Sequence, residues 1–136
     1  MTNSRNKGAS FEREIANLLT NDLSLKNNIR RILEQTREKH LPDLIIGSWY
    51  LECKRYAAGA EPLDAWWKQV IKASEGRGIP ALVYKFDRRP IKVRVPLGAI
   101  NPDLNILSPF TADLLWEDFI FLLKELYSEQ IKENDK

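Results

Sequence analysis

Asp43, Glu52 and Lys54 lie within the stretch Pro42 to Lys54, PDLIIGSWYLECK, with eight residues between the two acids. Two carboxylates offer the oxygen ligands that a hard divalent cation such as Mg²⁺ prefers. A cation bound there lowers the pKa of its water, and a lysine alongside can orient or deprotonate that water. The chemistry requires the three groups to converge. Leu44 to Ile46 and Trp49 to Tyr56 are two β-type runs broken by Gly47-Ser48, which predicts a hairpin. Alternation along the second run places Glu52 and Lys54 on one face and Leu51, Cys53 and Arg55 on the other. Asp43 begins the partner strand, so the hairpin can bring it beside Glu52. The plain alternative is that Glu52 and Lys54 are the solvated face of an amphipathic strand, because a lone Glu-x-Lys often occurs by chance.

A chain of 136 residues is long enough for one domain with one core, and we expect residues 1–136 to be that domain. No apolar run approaches the ~20 residues that span a bilayer, and the N-terminus has no signal-peptide core. With a single cysteine there is no internal disulfide framework, which fits a reducing, cytoplasmic setting. One Cys and one His also argue against a zinc site built on them. The net charge of +2 hides a division. Residues 1–102 carry 18 basic and 11 acidic side chains, a balance of +7, whereas residues 103–136 carry 3 and 8, a balance of −5. A basic body suits a phosphate backbone as partner.

The elements that must hold these groups follow in order. Residues 1–8 are polar and basic, and we expect them to be mobile. From Ser10 the apolar residues Phe11, Ile15, Leu18 and Leu19 keep a helical period. Glu12 and Glu14 flank that stripe on opposite borders, and periodicity does not choose between them. Ile29 to Thr36 reads as a strand or a short helix, followed by a polar loop ending in His40, a loop side chain or a phosphate contact. Glu61-Pro62 opens a helix whose apolar face includes Trp66, Trp67, Val70 and Ile71, with Gln69 at its edge. Pro80 to Phe86 reads as a buried strand and Ile91 to Val95 as the returning one. Lys92 and Arg94 share a face there, as a polar surface or a phosphate-contacting edge. Residues 96–109 form an irregular connection. Ser108 or Thr111 then caps a final helix with Asp113 in its first turn. Its wide apolar sector, Leu115 to Tyr127, implies burial on more than one side, in the core or at a homodimer interface. The tail after Ser128 should fray. The element order α, β-β-β, α, β-β, α implies an α/β fold, with a mixed sheet of about five strands flanked by helices.

Taken together, these segments resemble the PD-(D/E)XK nuclease superfamily, and within it the archaeal-type Holliday junction resolvases. KGASFERE (Lys7 to Glu14) resembles that group's opening motif, LPDLII and YLECK its Asp and Glu-x-Lys strands, and GIPALVYKF its next strand. Trp66-x-x-Gln69 resembles a helix of phage-encoded relatives in which a Gln points toward the site. The likeness covers about the first 95 residues. It implies a restriction-endonuclease-like core at about 8–96, with the C-terminal helix at about 110–130 as an addition. It also implies that Glu12, Asp43 and Glu52 are metal ligands, with the Cys53 carbonyl as a further one. Lys54 would act on the attacking water or the transition state, Arg13 on phosphate, and Gln69 at the site's edge. The basic residues Lys7, Arg13, Arg30, Arg31, Lys39, Arg55, Lys85, Arg88 and Arg89 are candidates for binding DNA backbone. The implied cofactor is Mg²⁺, with Mn²⁺ as a substitute and no organic cofactor. The implied partners are branched double-stranded DNA and a second copy of the chain, with no membrane. AAGAEP departs from the longer, more basic segment of the archaeal pattern, and the acidic C-terminal helix has no counterpart in it. A nicking, flap or restriction-like nuclease and a non-cleaving DNA-binding module are the alternatives.

Overall fold

A computed structural model of the chain describes residues 4–27, 29, 42–105 and 109–135. The strand or helix expected at Ile29 to Thr36, and the candidates Arg30, Arg31, Lys39 and His40, lie outside the described residues. The elements are α1 (Ser4–Asp22), β1 (Leu44–Ile46), β2 (Trp49–Tyr56), α2 (Asp64–Ser74), β3 (Ile79–Phe86), β4 (Lys92–Pro96), α3 (Leu97–Ile100), β5 (Thr111–Leu115), α4 (Trp116–Leu126) and α5 (Ser128–Asn134). The strands form one mixed sheet in the order β1-β2-β3-β4-β5. Only β2 and β3 run parallel; the other neighbours are antiparallel. The α/β architecture with a five-stranded mixed sheet flanked by helices is the one expected. No described helix is long and apolar enough to cross a membrane.

The hairpin forms where the Gly-Ser break predicts it, with Leu44 opposite Leu51 and Ile46 opposite Trp49. Gly47 takes φ +58°, in the left-handed region that a side chain resists, and so lets the strands reverse over two residues. A parallel β2-β3 pair requires a crossover, and α2 supplies it. Val70 and Trp66 of α2 cover Leu82, Tyr84 and Phe86 of β3 in a small cluster. The opposite face carries the main core. There Phe11, Ile15 and Leu19 of α1 and Phe119, Ile120 and Leu123 of α4 pack on Leu51, Cys53, Ala81, Val83 and Val93. Each fully buried Leu or Phe contributes about 1.5–3 kcal/mol relative to an exposed one.

Several expectations are corrected. Helix α1 begins at Ser4 rather than near Ser10, because nothing in SRNKGA interrupts it, although the first core residue is still Phe11. Helix α2 begins at Asp64, and Pro62 lies two residues outside it. The connection after β4 contains the short helix α3. The largest revision concerns Thr111 and Asp113. They belong to β5, which pairs with β4 from Pro96↔Thr111 to Lys92↔Leu115. Without β5 the backbone polar groups of β4 on the side away from β3 would be left unpaired, and that requirement outweighs the helical reading of TADLL. The final helix therefore starts at Trp116, with Glu117 and Asp118 in its first turn. Beyond it the tail does not fray. Helix α5 buries Ile131, and Gln130 Oε1 accepts from Ser48 Oγ at 2.6 Å. The Asp135 carboxylate accepts from the backbone amides of Lys26 and Asn27 at 2.6 and 3.0 Å.

Candidate active site

The β1-β2 hairpin sets two acids side by side. Asp43 immediately precedes β1, and its backbone N–H donates to the Leu51 carbonyl at 2.9 Å, which extends the ladder and places Asp43 next to Glu52. The Cys53 N–H donates to Asp43 Oδ2 at 2.8 Å, so the strand that carries Glu52 also orients the Asp43 side chain. Both acids are almost fully buried, at 4% and 3% exposure. Lys54 Nζ lies 3.8 Å from Glu52 Oε1. From α2, across the same face, Gln69 Nε2 donates to Glu52 Oε1 at 2.7 Å.

Glu52 Oε1 is thus engaged, while its buried partner Oε2 has no hydrogen-bond donor among the described residues. In the ionised form, a buried oxygen with no donor would cost free energy. Burial, then the neighbouring Asp43 charge, push the Glu52 pKa up to about 9, against the opposing pull of Lys54; Glu12 adds a smaller push. The protonated carboxyl can donate to Asp43, which the ionised one cannot. Burial likewise drives the Cys53 thiol well above its usual range, reinforced by Asp43, Glu12 and Glu52.

The donor set fits a hard cation. The available atoms are carboxylate oxygens, one of them buried and lacking a donor, and a divalent ion would satisfy that oxygen and let Glu52 ionise. Among the described residues no group of three or more His, Cys, Asp or Glu side chains is close enough to hold a metal by itself.

The remaining candidates are distributed around this centre. Glu12 and Glu14 now separate. Glu14 lies 3.9 Å from Arg55, whereas Glu12 is near enough for its charge to act on Glu52 and Cys53. Arg13 is exposed on α1 beside Glu12, and Lys7 lies earlier on the same helix. Arg55 is on the α1 face and bridges Glu14 to Asp87 at 3.5 Å. Lys85 is half-buried at the end of β3, and Arg88 and Arg89 are exposed in the turn that follows. Arg94, by contrast, is not a free cationic edge. It forms a two-point pair with Asp113, from Nε at 2.7 Å and Nη2 at 3.0 Å, and Tyr84 donates its hydroxyl to the same carboxylate at 2.6 Å. That pairing is illegible without β5. Tyr56, two positions beyond Lys54 on β2, also shares the face of Glu52 and Lys54, where strand parity places it.

A family model described as phage putative PDDEXK endonuclease matches residues 3–124, from the start of α1 through most of α4. No curated protein and no solved structure matches the chain. The match takes in both acids, Lys54 and the helix bearing Gln69, and on it the chain belongs to the phage PDDEXK endonuclease family and is a nuclease of the PD-(D/E)XK type.

Proposed function

We propose that the protein is a Mg²⁺-dependent endodeoxyribonuclease acting on branched DNA, with the four-way junction as its substrate and two copies cutting opposed strands. The observation that carries the metal dependence is Glu52, buried beside Asp43 with one oxygen lacking a donor. Asp43, Glu52 and Glu12 would hold the ion, with the Cys53 carbonyl as a further oxygen. When bound, the ion would lower the pKa of a water and offset charge developing on the phosphate. Asp43 is kept in place by the Cys53 N–H. Gln69 holds Glu52 Oε1, so that Oε2 keeps one orientation. Lys54, partly exposed and 3.8 Å from Glu52, can orient the attacking water or stabilise the pentacoordinate transition state. Arg13, Lys85, Arg88 and Arg89 would contact backbone phosphates, which makes binding strongly salt-dependent.

The junction assignment is supported by the likeness of KGASFERE, LPDLII, YLECK and GIPALVYKF to the resolvases, and the paired cut by the match between a twofold dimer and a twofold substrate. The test is a panel of end-labelled junction, flap, splayed-arm and linear DNAs incubated with Mg²⁺, Mn²⁺ or EDTA. We expect symmetric, metal-dependent cuts in the junction. Preferential cutting of flaps or linear duplex would reassign the substrate, and cutting in EDTA would overturn the metal dependence.

A further inference from the structure

Tyr56 is the last residue of β2, two positions after Lys54 and on the same face. Its ring stacks on Trp66 with centroids 4.8 Å apart and 16° between the planes. Trp66 is only 7% exposed and is backed by Phe86 at 6.1 Å. Tyr56 nonetheless remains 44% exposed. A ring covered on one side by a buried indole, and still nearly half open, presents its other side to solvent. The loop that follows has no large side chain to cover it. Ala57, Ala58, Gly59 and Ala60 carry nothing larger than a methyl group. Gly59, at φ +136°, lies so close to Phe86 that an added Cβ would meet the ring at 2.5 Å, so this loop is drawn against Phe86. Packing accounts for the Trp66 side of Tyr56 and leaves the outer side unexplained.

Tyr56 lies two residue steps beyond Lys54, about 6.6 Å along the backbone. An aromatic ring fixed against a rigid support, one such step from the lysine of a nuclease site, is suited to receive a base. We propose that the open face of Tyr56 stacks an unpaired base of the DNA substrate next to the phosphodiester that Lys54 faces. This rests on the nuclease reading and deepens it, by giving the site a means of selecting branched over continuous duplex. A base inside duplex has both faces covered by its neighbours, whereas a splayed base, or one released as a junction opens at its centre, has a free face. Every base has such a face, so the platform reads strand opening rather than sequence.

The test uses 2-aminopurine, whose fluorescence falls on stacking, placed at the first unpaired position of a splayed-arm DNA and, separately, inside a linear duplex. Binding is read in a Glu52→Gln background so that cleavage does not intervene. We expect quenching on the splayed DNA with Tyr56 present and with Tyr56→Phe, and none with Tyr56→Leu. Tyr56→Leu should weaken splayed-arm binding by about 5- to 150-fold, the range for one base-aromatic stack, with a much smaller effect on the duplex. The proposal is overturned if the Tyr56 protein gives no quenching, or if Tyr56→Leu matches it. It is also overturned if Tyr56→Leu weakens both DNAs equally, as a purely structural residue would. Should Tyr56→Leu not fold, the quenching with Tyr56 and Tyr56→Phe still decides. Failure of the nuclease reading would look different: quenching intact, and no cleavage of any DNA by the wild-type protein in Mg²⁺.

Discussion

Gln69 on α2 donates its amide to Glu52 Oε1 at 2.7 Å, and the other Glu52 oxygen is left buried without a donor. The helix that makes the crossover between two parallel strands thereby sets the orientation of an acid on the first of them. Removing a residue that orients a metal ligand typically costs 10- to 100-fold in affinity or activity. Gln69→Ala should accordingly lower kcat/KM for Mg²⁺-dependent cleavage by about 10- to 100-fold and raise the Mg²⁺ concentration needed for half-maximal rate. Steady-state rates across a Mg²⁺ titration check this, and an unchanged titration would remove Gln69 from the site.

The raised pKa of Glu52 has a consequence with a definite sign. Burial and Asp43 lift it from the ordinary 4.5 to about 9, so between those values the folded protein keeps a proton that the unfolded chain has lost. This contribution to stability is fully present below 4.5 and is lost as pH rises toward 9. The melting temperature of the metal-free protein should therefore fall with pH across this window more steeply than that of Glu52→Gln. Mg²⁺ needs the ionised carboxylate, so its binding should release protons and tighten as pH rises. Melting curves from pH 5 to 9, with and without Mg²⁺, test both statements. A wild-type melting temperature that rises with pH relative to the variant would contradict them.

Much of this site is readable from residue order alone, because it depends on short-range geometry. Gly47-Ser48 sets the hairpin, strand parity sets the common face of Glu52 and Lys54, and the hairpin register brings Asp43 alongside. Glu12 against Glu14 is a different kind of question. It depends on how α1 is rotated over the sheet, which follows from the burial of Phe11 and Ile15 and not from residue order. Thr111 to Leu115 is harder still, since TADLL becomes a strand only because β4 has an edge to fill. The Tyr84-Asp113-Arg94 contacts inherit that difficulty.

Those contacts yield a prediction of their own. Burial works to raise the Asp113 carboxyl, but hydrogen bonds from Arg94 and Tyr84 outweigh it and hold the pKa below the usual range. Asp113→Ala leaves the Tyr84 hydroxyl and the Arg94 guanidinium without their acceptor and should destabilise the fold by about 1–3 kcal/mol. Since Asp113 lies on β5, three strands from Glu52, cleavage by the folded variant should stay near wild type. Urea unfolding, combined with an activity assay below the transition, separates the two effects.

Gly78 marks the entry to β3, where Ile79 N–H donates to the Ser48 carbonyl at 2.7 Å. A Cβ at Gly78 would collide with that same Ser48 carbonyl and come within 2.7 Å of the Tyr50 ring. The glycine is thus required by the close approach of β3 to the hairpin, and Gly78→Ala should cost about 1–3 kcal/mol as overpacking. Thermal unfolding that matches wild type would show that the hairpin yields without cost.

The most direct measurement compares wild type and Glu52→Gln on labelled four-way and linear DNA in Mg²⁺, with binding followed in parallel by gel shift. The account predicts metal-dependent cleavage by wild type, loss of at least about a hundredfold in Glu52→Gln, more than an orienting residue alone would cost, and DNA binding retained in both. Undiminished cleavage by Glu52→Gln would contradict it, because the buried acid beside Asp43 would then have no part in the reaction.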